Sequence, residues 1–143
     1  MPTRLASPAD LPDIKRIRFA VRENVLSDPS RITDADYAAM FGARGQTWVR
    51  ELDGEIVGFG CAFHDGRIWA LFVDPAHEGH GHGRVLHDVM IAWLRSIGVT
   101  EAALGTGQGT RAEAFYLRHG WVPTGEVVHG DVEMRLRLGA PEG

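Results

Sequence analysis

Apolar positions along the chain recur first at helical spacing, then at strand spacing, and then at helical spacing again. Thr3 to Leu5 reads as a short first strand, and Ser7-Pro8-Ala9-Asp10 offers capping and turn residues. A helix is predicted to follow, with Leu11, Ile14, Ile17, Val21 and Val25 on one face and an end near Asp28-Pro29. Thr33-Asp34-Ala35-Asp36 looks like a second helix start, with Tyr37, Met40 and Phe41 available to pack before Gly42 to Gly45 stop it. Three segments rich in branched and aromatic residues then read as strands, at Thr47 to Leu52, Ile56 to Phe63 and Arg67 to Val73. Asp53-Gly54 and Asp65-Gly66 between them are tight hairpin signals.

From Arg84 the period becomes helical, and Val85, Leu86, Val89, Met90, Trp93, Leu94 and Ile97 form one broad stripe closed by Gly98. A strand at Thr100 to Leu104 must run parallel to the Arg67 to Val73 strand, because a helical crossover joins the two. A helix over Arg111 to His119 and strands at Trp121 to Val128 and Val132 to Leu138 complete the pattern. No repeat, linker or low-complexity stretch interrupts it, so residues 1–143 read as one domain.

The junction that carries chemistry is Val73-Asp74-Pro75-Ala76-His77-Glu78-Gly79-His80-Gly81-His82-Gly83-Arg84. Alternating glycines let the backbone curl with no Cβ in the way. Successive N–H groups then turn inward, and the positive end of the next helix lies behind them. A diphosphate-bearing ligand is the first expectation. A dinucleotide fingerprint would need G-x-G-x-x-G and an acidic residue ending the next strand, whereas this loop runs G-x-G-x-G and that strand ends in Leu104-Gly105-Thr106. A P-loop would need a lysine after the glycines, and none is there.

Composition narrows the classes further. A net charge of −4 gives no general attraction to nucleic acid or anionic membrane, so an anion has to be held by a local site. No apolar run is long enough to span a bilayer, and no charged-then-apolar signal pattern opens the chain. The single cysteine, Cys61, suits a reducing cytoplasm and lies in an apolar strand, where it is expected to be buried and inert. His77, His80, His82 and His87 raise a metal-binding alternative. A loop whose N–H groups converge on an anion turns its side chains outward, however, and no cysteine or carboxylate pair completes a site, so no metal is expected.

The strand, loop and helix resemble the central motif of the GNAT superfamily of acyl-CoA-dependent N-acyltransferases. That motif is a strand ending in Val-x-Pro, then Gln/Arg-x-x-Gly-x-Gly/Ala, then a helix. Here it is matched by Leu71-Phe72-Val73-Asp74-Pro75, Glu78-Gly79-His80-Gly81-His82-Gly83 and the helix from Arg84. The later motif of the family is matched by Arg111-Ala112-Glu113-Ala114-Phe115-Tyr116-Leu117-Arg118-His119-Gly120-Trp121. Glu78 departs from the usual Gln or Arg, and Gly109 stands where Asn is common.

The resemblance implies a mixed α/β fold, with a mostly antiparallel central sheet, a splayed parallel strand pair and helices on both faces. It implies acetyl-CoA as co-substrate, with Leu71, Phe72 and Val73 along its arm. Glu78, Gly79, His80, Gly81, His82, Gly83 and Arg84 would surround the diphosphate, and Gly109, Ala112 and Tyr116 would lie on the later motif. Arg84, His80 and His82 are the groups expected to offset the charge of Glu78. Tyr116 is expected to serve the leaving thiolate, and Glu23, ahead of Asn24, His64 and Asp65, to take the proton of the attacking amine. The implied acceptor is a primary amine of a small molecule or peptide, with Arg18, Glu23, Asn24, Arg31 and Tyr37 near it. The implied assembly is a homodimer. A non-catalytic acyl-CoA sensor is the alternative that keeps the fold.

Overall fold

The computed structural model describes residues 3–20, 44–128 and 130–139. The second predicted helix, the far end of the first, and Glu23, Asn24, Arg31 and Tyr37 lie outside them.

Strand β1 (Thr3–Leu5) leads through a 3-10 turn at Pro8–Asp10 into helix α1 (Leu11–Ala20). Arg4 fixes this entry by forking onto both carboxylate oxygens of Asp10 at 2.9 Å and reaching Glu51 at 2.6 Å. The guanidinium beside Asp10 holds that carboxyl below its usual range. Strands β2 (Gly45–Leu52), β3 (Glu55–Phe63) and β4 (Ile68–Val73) complete an antiparallel sheet in the order β1-β2-β3-β4. Both short hairpins fall where Asp53-Gly54 and Asp65-Gly66 predict them.

Helix α2 (His82–Ser96) crosses to β5 (Glu101–Gly107), followed by α3 (Arg111–Arg118), β6 (Val122–Val128) and β7 (Asp131–Arg137). These last strands form a second antiparallel sheet in the order β5-β7-β6. The two sheets meet through one parallel bridge, between Arg67 and Ala103, where the Ala103 N–H donates to the Gly66 carbonyl at 3.0 Å. Gly66 is required at that point. Its φ is +99°, and a Cβ would stand 2.6 Å from the Glu101 carbonyl oxygen.

Each face of the sheet is covered. Ile14 and Ile17 of α1 close one core with Val49, Phe59 and Cys61. Leu86, Met90 and Leu94 of α2 close the other with Leu104, Tyr116, Trp121 and Met134. The architecture is the mixed α/β arrangement that the family resemblance implies, including the splayed parallel pair, built from the elements that the patterning predicts.

Candidate active site

The splay has a local cause. Cys61 pairs with Ala70 and Ala62 with Ile68, so Trp69 is an extra residue bulged out of β4. A bulge bends its strand and increases the twist, and β4 turns away from β5 just past the bridge between Arg67 and Ala103. Arg67 spans the apex of the gap, forking onto Glu133 of β7 at 2.8 and 3.2 Å. Beyond it, the Asp74 N–H donates to Val57 on β3 at 2.8 Å. Alternation along the strand then turns the backbone groups of Leu71 and Val73 outward into the gap.

At its open end the gap widens into a cleft of about 760 Å³ bounded by β4, the glycine loop, the start of α2 and one face of α3. Leu71, Phe72 and Val73 line it from β4. Glu78, Gly79, Gly81, His82, Gly83 and Arg84 line it from the loop and α2, and Ala112 and Tyr116 from α3. Two expected residues are not brought to this wall. His80 is exposed beside it, and Gly109 turns its N–H onto the Glu113 carboxylate at 3.0 Å, where it helps cap α3.

The loop owes its course to Gly79 and Gly81, at φ +82° and +84°, where a Cβ would project into open space. Gly81 caps α2 with no side chain, and its carbonyl accepts the Val85 N–H at 3.1 Å. The N–H groups of the first helical residues therefore have no partner inside the helix. They open on the cleft with the positive end of a 15-residue helix behind them. Such a bare backbone cradle suits a diphosphate, which is the fit a CoA-type ligand requires.

Side chains around the cradle differ from expectation in two respects. Glu78 is neutralised from across the cleft by Arg111 of α3, whose Nη1 lies 2.6 Å from its carboxylate, rather than by Arg84, His80 or His82. His82 does not turn outward but is buried, with Nδ1 accepting from Nε of Arg50 at 3.1 Å. Burial, and then the charge of Arg50, hold its pKa below the usual value. His87 is likewise interior, where its Nε2 accepts the Trp121 indole N–H at 3.0 Å. No group of three or more metal-ligating side chains gathers among the described residues. Arg111 and Arg118 also line the cleft and were not singled out by sequence. Their seven-residue spacing on α3 is the signal that places both on one helical face.

Tyr116 is buried against Trp121, with ring centroids 5.7 Å apart, yet reaches the cleft wall. Burial pushes its phenol pKa up. On the opposite side Arg18 is buried with its guanidinium 4.7 Å from the Phe72 ring centroid. Cys61 is buried as expected, and burial pushes its thiol up to about 11.

A splayed strand, a bare glycine cradle at a helix start and a tyrosine on the facing helix are what the resemblance of the two motifs implies. The model of the acetyltransferase (GNAT) family matches residues 11–121. The chain belongs to that family. An amino-acid acetyltransferase of Mycobacterium tuberculosis is 29% identical over 126 residues, covering 82% of this chain and 66% of the relative. A mycothiol acetyltransferase of Beutenbergia cavernae is 41% identical over 59 residues, covering 41% of this chain and 20% of the relative. The chain thus spans less than two thirds of the length of either. Among solved structures, the yncA protein of Salmonella typhimurium with its cofactor acetyl-CoA superposes with a TM-score of 0.71 at 23% identity, covering 99% of this chain and 95% of that one. No helix among the described residues is long and apolar enough to cross a membrane.

Proposed function

We propose that this GNAT domain transfers an acetyl group from acetyl-CoA to a primary amine of a small molecule or peptide, by direct attack of the amine. The observation that carries the reading is the outward-facing edge of Leu71 to Val73 opening into the same cleft as the unpartnered start of α2 and Tyr116. The family, and the acetyl-CoA bound by the Salmonella relative, support it.

The N–H groups from Gly81 to Arg84 would hold the diphosphate, and the open edge of β4 would hold the amides of the arm, as an added strand would. Bound there, acetyl-CoA supplies an acetyl group activated as a thioester. The β4 edge orients the acyl carbonyl and offers N–H donors to the charge that develops on its oxygen. Tyr116 keeps its proton, because burial raises its pKa, and donates an O–H hydrogen bond toward the departing sulfur. An alkylammonium, with a reference pKa of about 10.4, must lose a proton before it attacks, and Glu23 is assigned that proton. The amino-acid acetyltransferase relative supports amino acids as the first acceptors to try.

The test is release of free thiol from acetyl-CoA over a panel of amino acids, peptides, polyamines and aminoglycosides, alongside melting curves with acetyl-CoA alone. Binding to the native state alone raises the melting temperature by mass action. A shift with turnover on one amine class is expected. A shift with no turnover on any amine favours the non-catalytic sensor, and coincident melting curves at millimolar acetyl-CoA overturn the reading.

A further inference from the structure

The contact between Glu78 and Arg111 joins the two motifs across the mouth of the cleft. Glu78 belongs to the phosphate loop and Arg111 is the first residue of α3, 33 positions later. Their 2.6 Å ion pair spans residues that both line the wall, and the Arg111 side chain is 70% exposed. Arg111 is therefore a cation within reach of the cradle that is held on a carboxylate of the cradle itself. A phosphate entering the cradle meets Glu78 as a like charge and Arg111 as an opposite one. An arginine fork satisfies phosphate at least as well as carboxylate.

We propose that Glu78 is a built-in competitor for Arg111: the ion pair straps the mouth of the cleft, and a phosphate of the CoA-type ligand displaces the carboxylate and takes the guanidinium. The inference rests on the acetyl-CoA reading above. It accounts for an acidic residue beside an anion site without requiring a weak site, because the arginine that Glu78 holds is the one delivered to the ligand. It also makes Glu78 a determinant of ligand release, since the carboxylate is ready to recapture Arg111.

The alternative is static neutralisation, in which Arg111 stays on Glu78 and merely cancels its charge. The two differ in sign in a double-mutant cycle. Under competition, Glu78→Gln removes the carboxylate that competes with phosphate for Arg111 and also removes repulsion, so it tightens binding more when Arg111 is present. Under neutralisation, the charge of Glu78 is felt only after Arg111 is gone, so Glu78→Gln tightens binding more in the Arg111→Met background.

The experiment is calorimetric titration of free coenzyme A into the wild type, Glu78→Gln, Arg111→Met and the double variant at one fixed ionic strength. Both side chains are partly or largely exposed, and melting curves of all four proteins establish that each is folded. Exposed ion pairs have modest strength, so Glu78→Gln should tighten Kd about three- to fivefold with Arg111 present and less than about twofold without it. Arg111→Met alone should weaken binding. An equal or larger gain in the Arg111→Met background overturns the competition while leaving the acetyl-CoA reading intact. A wild type that takes up no coenzyme A overturns both.

Discussion

The indole N–H of Trp121 donates to Nε2 of His87 at 3.0 Å, one ring away from Tyr116. Since Nε2 accepts, the ring proton of neutral His87 sits on Nδ1, which lies 3.0 Å from the Asp88 carboxylate. This contact ties α2 to Trp121, just beyond the end of α3. Trp121→Phe keeps a ring in the core but leaves a buried nitrogen without its donor and a gap where the larger ring stood. The unfolding free energy should fall by about 2–3 kcal/mol, read from urea titration. An unchanged midpoint would show that the bond contributes nothing.

Gly66 tests the origin of the splay. A Cβ there meets the backbone of Glu101, which cannot swing aside as a side chain can, and φ is +99°. Gly66→Ala should cost about 2 kcal/mol or more and loosen the Arg67–Ala103 bridge that links the two sheets. Gly60→Ala is the control, since its Cβ would press on the flexible end of Met90, with Cε and Sδ at 2.9 Å, and meet backbone only at an ordinary 3.6 Å, at the Ala70 carbonyl oxygen. The two Tm values should separate, with Gly66→Ala the lower. Equal values would remove the bridge from the account.

Those two glycines mark what could be read from the chain and what could not. Asp65-Gly66 announces a hairpin in any sequence, and the strand, loop and helix around Val73 to Arg84 carry their own punctuation, so order and motif were legible. The splay was implied by family likeness alone, and the bulge at Trp69 is shown only by the structure, because one extra residue in a strand of branched and aromatic side chains leaves no local signature. The partner of Glu78 was missed for another reason. Arg84 and the imidazoles of the loop are near in sequence, but Arg111 is near in space only after α2 and β5 have reversed the chain. Likewise the rule that loop side chains face outward failed at His82, because Arg50 of β2 supplies a half-buried donor for it.

Tyr116→Phe keeps the packing against Trp121 and removes the O–H at the cleft wall. Turnover should fall by about one to two orders of magnitude, with little change in coenzyme A affinity, as for a group acting mainly in the transition state. Burial raises the phenol pKa above its ordinary 10.0, so Tyr116 stays protonated through neutral and mildly alkaline pH. Any alkaline loss of rate below about pH 10 should therefore persist in Tyr116→Phe. Full activity in this variant would exclude the role.

His82 gives a pH dependence whose sign follows from its partner. Its Nδ1 accepts from Arg50, so protonating it there replaces a hydrogen bond with two facing cations. Burial first, and then the charges of Arg50, His77 and His80, hold the folded pKa below the ordinary 6.5. As pH falls past about 6.5 the unfolded chain takes up its proton before the folded one does. The contribution of His82 to stability is thus complete above that pH, and it is lost as pH falls from there through the lower pKa of the folded state. His82→Gln retains a side-chain acceptor for Arg50 and cannot titrate. Urea unfolding at pH 8, 7, 6 and 5 should show wild-type stability declining more steeply than that of His82→Gln below about pH 6.5, with the two running parallel above it. His119, whose pKa is also lowered, chiefly by burial, is present in both proteins and cancels in the comparison. Parallel curves over the whole range would mean that His82 titrates alike in the folded and unfolded chains, and that its bond to Arg50 does not hold the imidazole neutral.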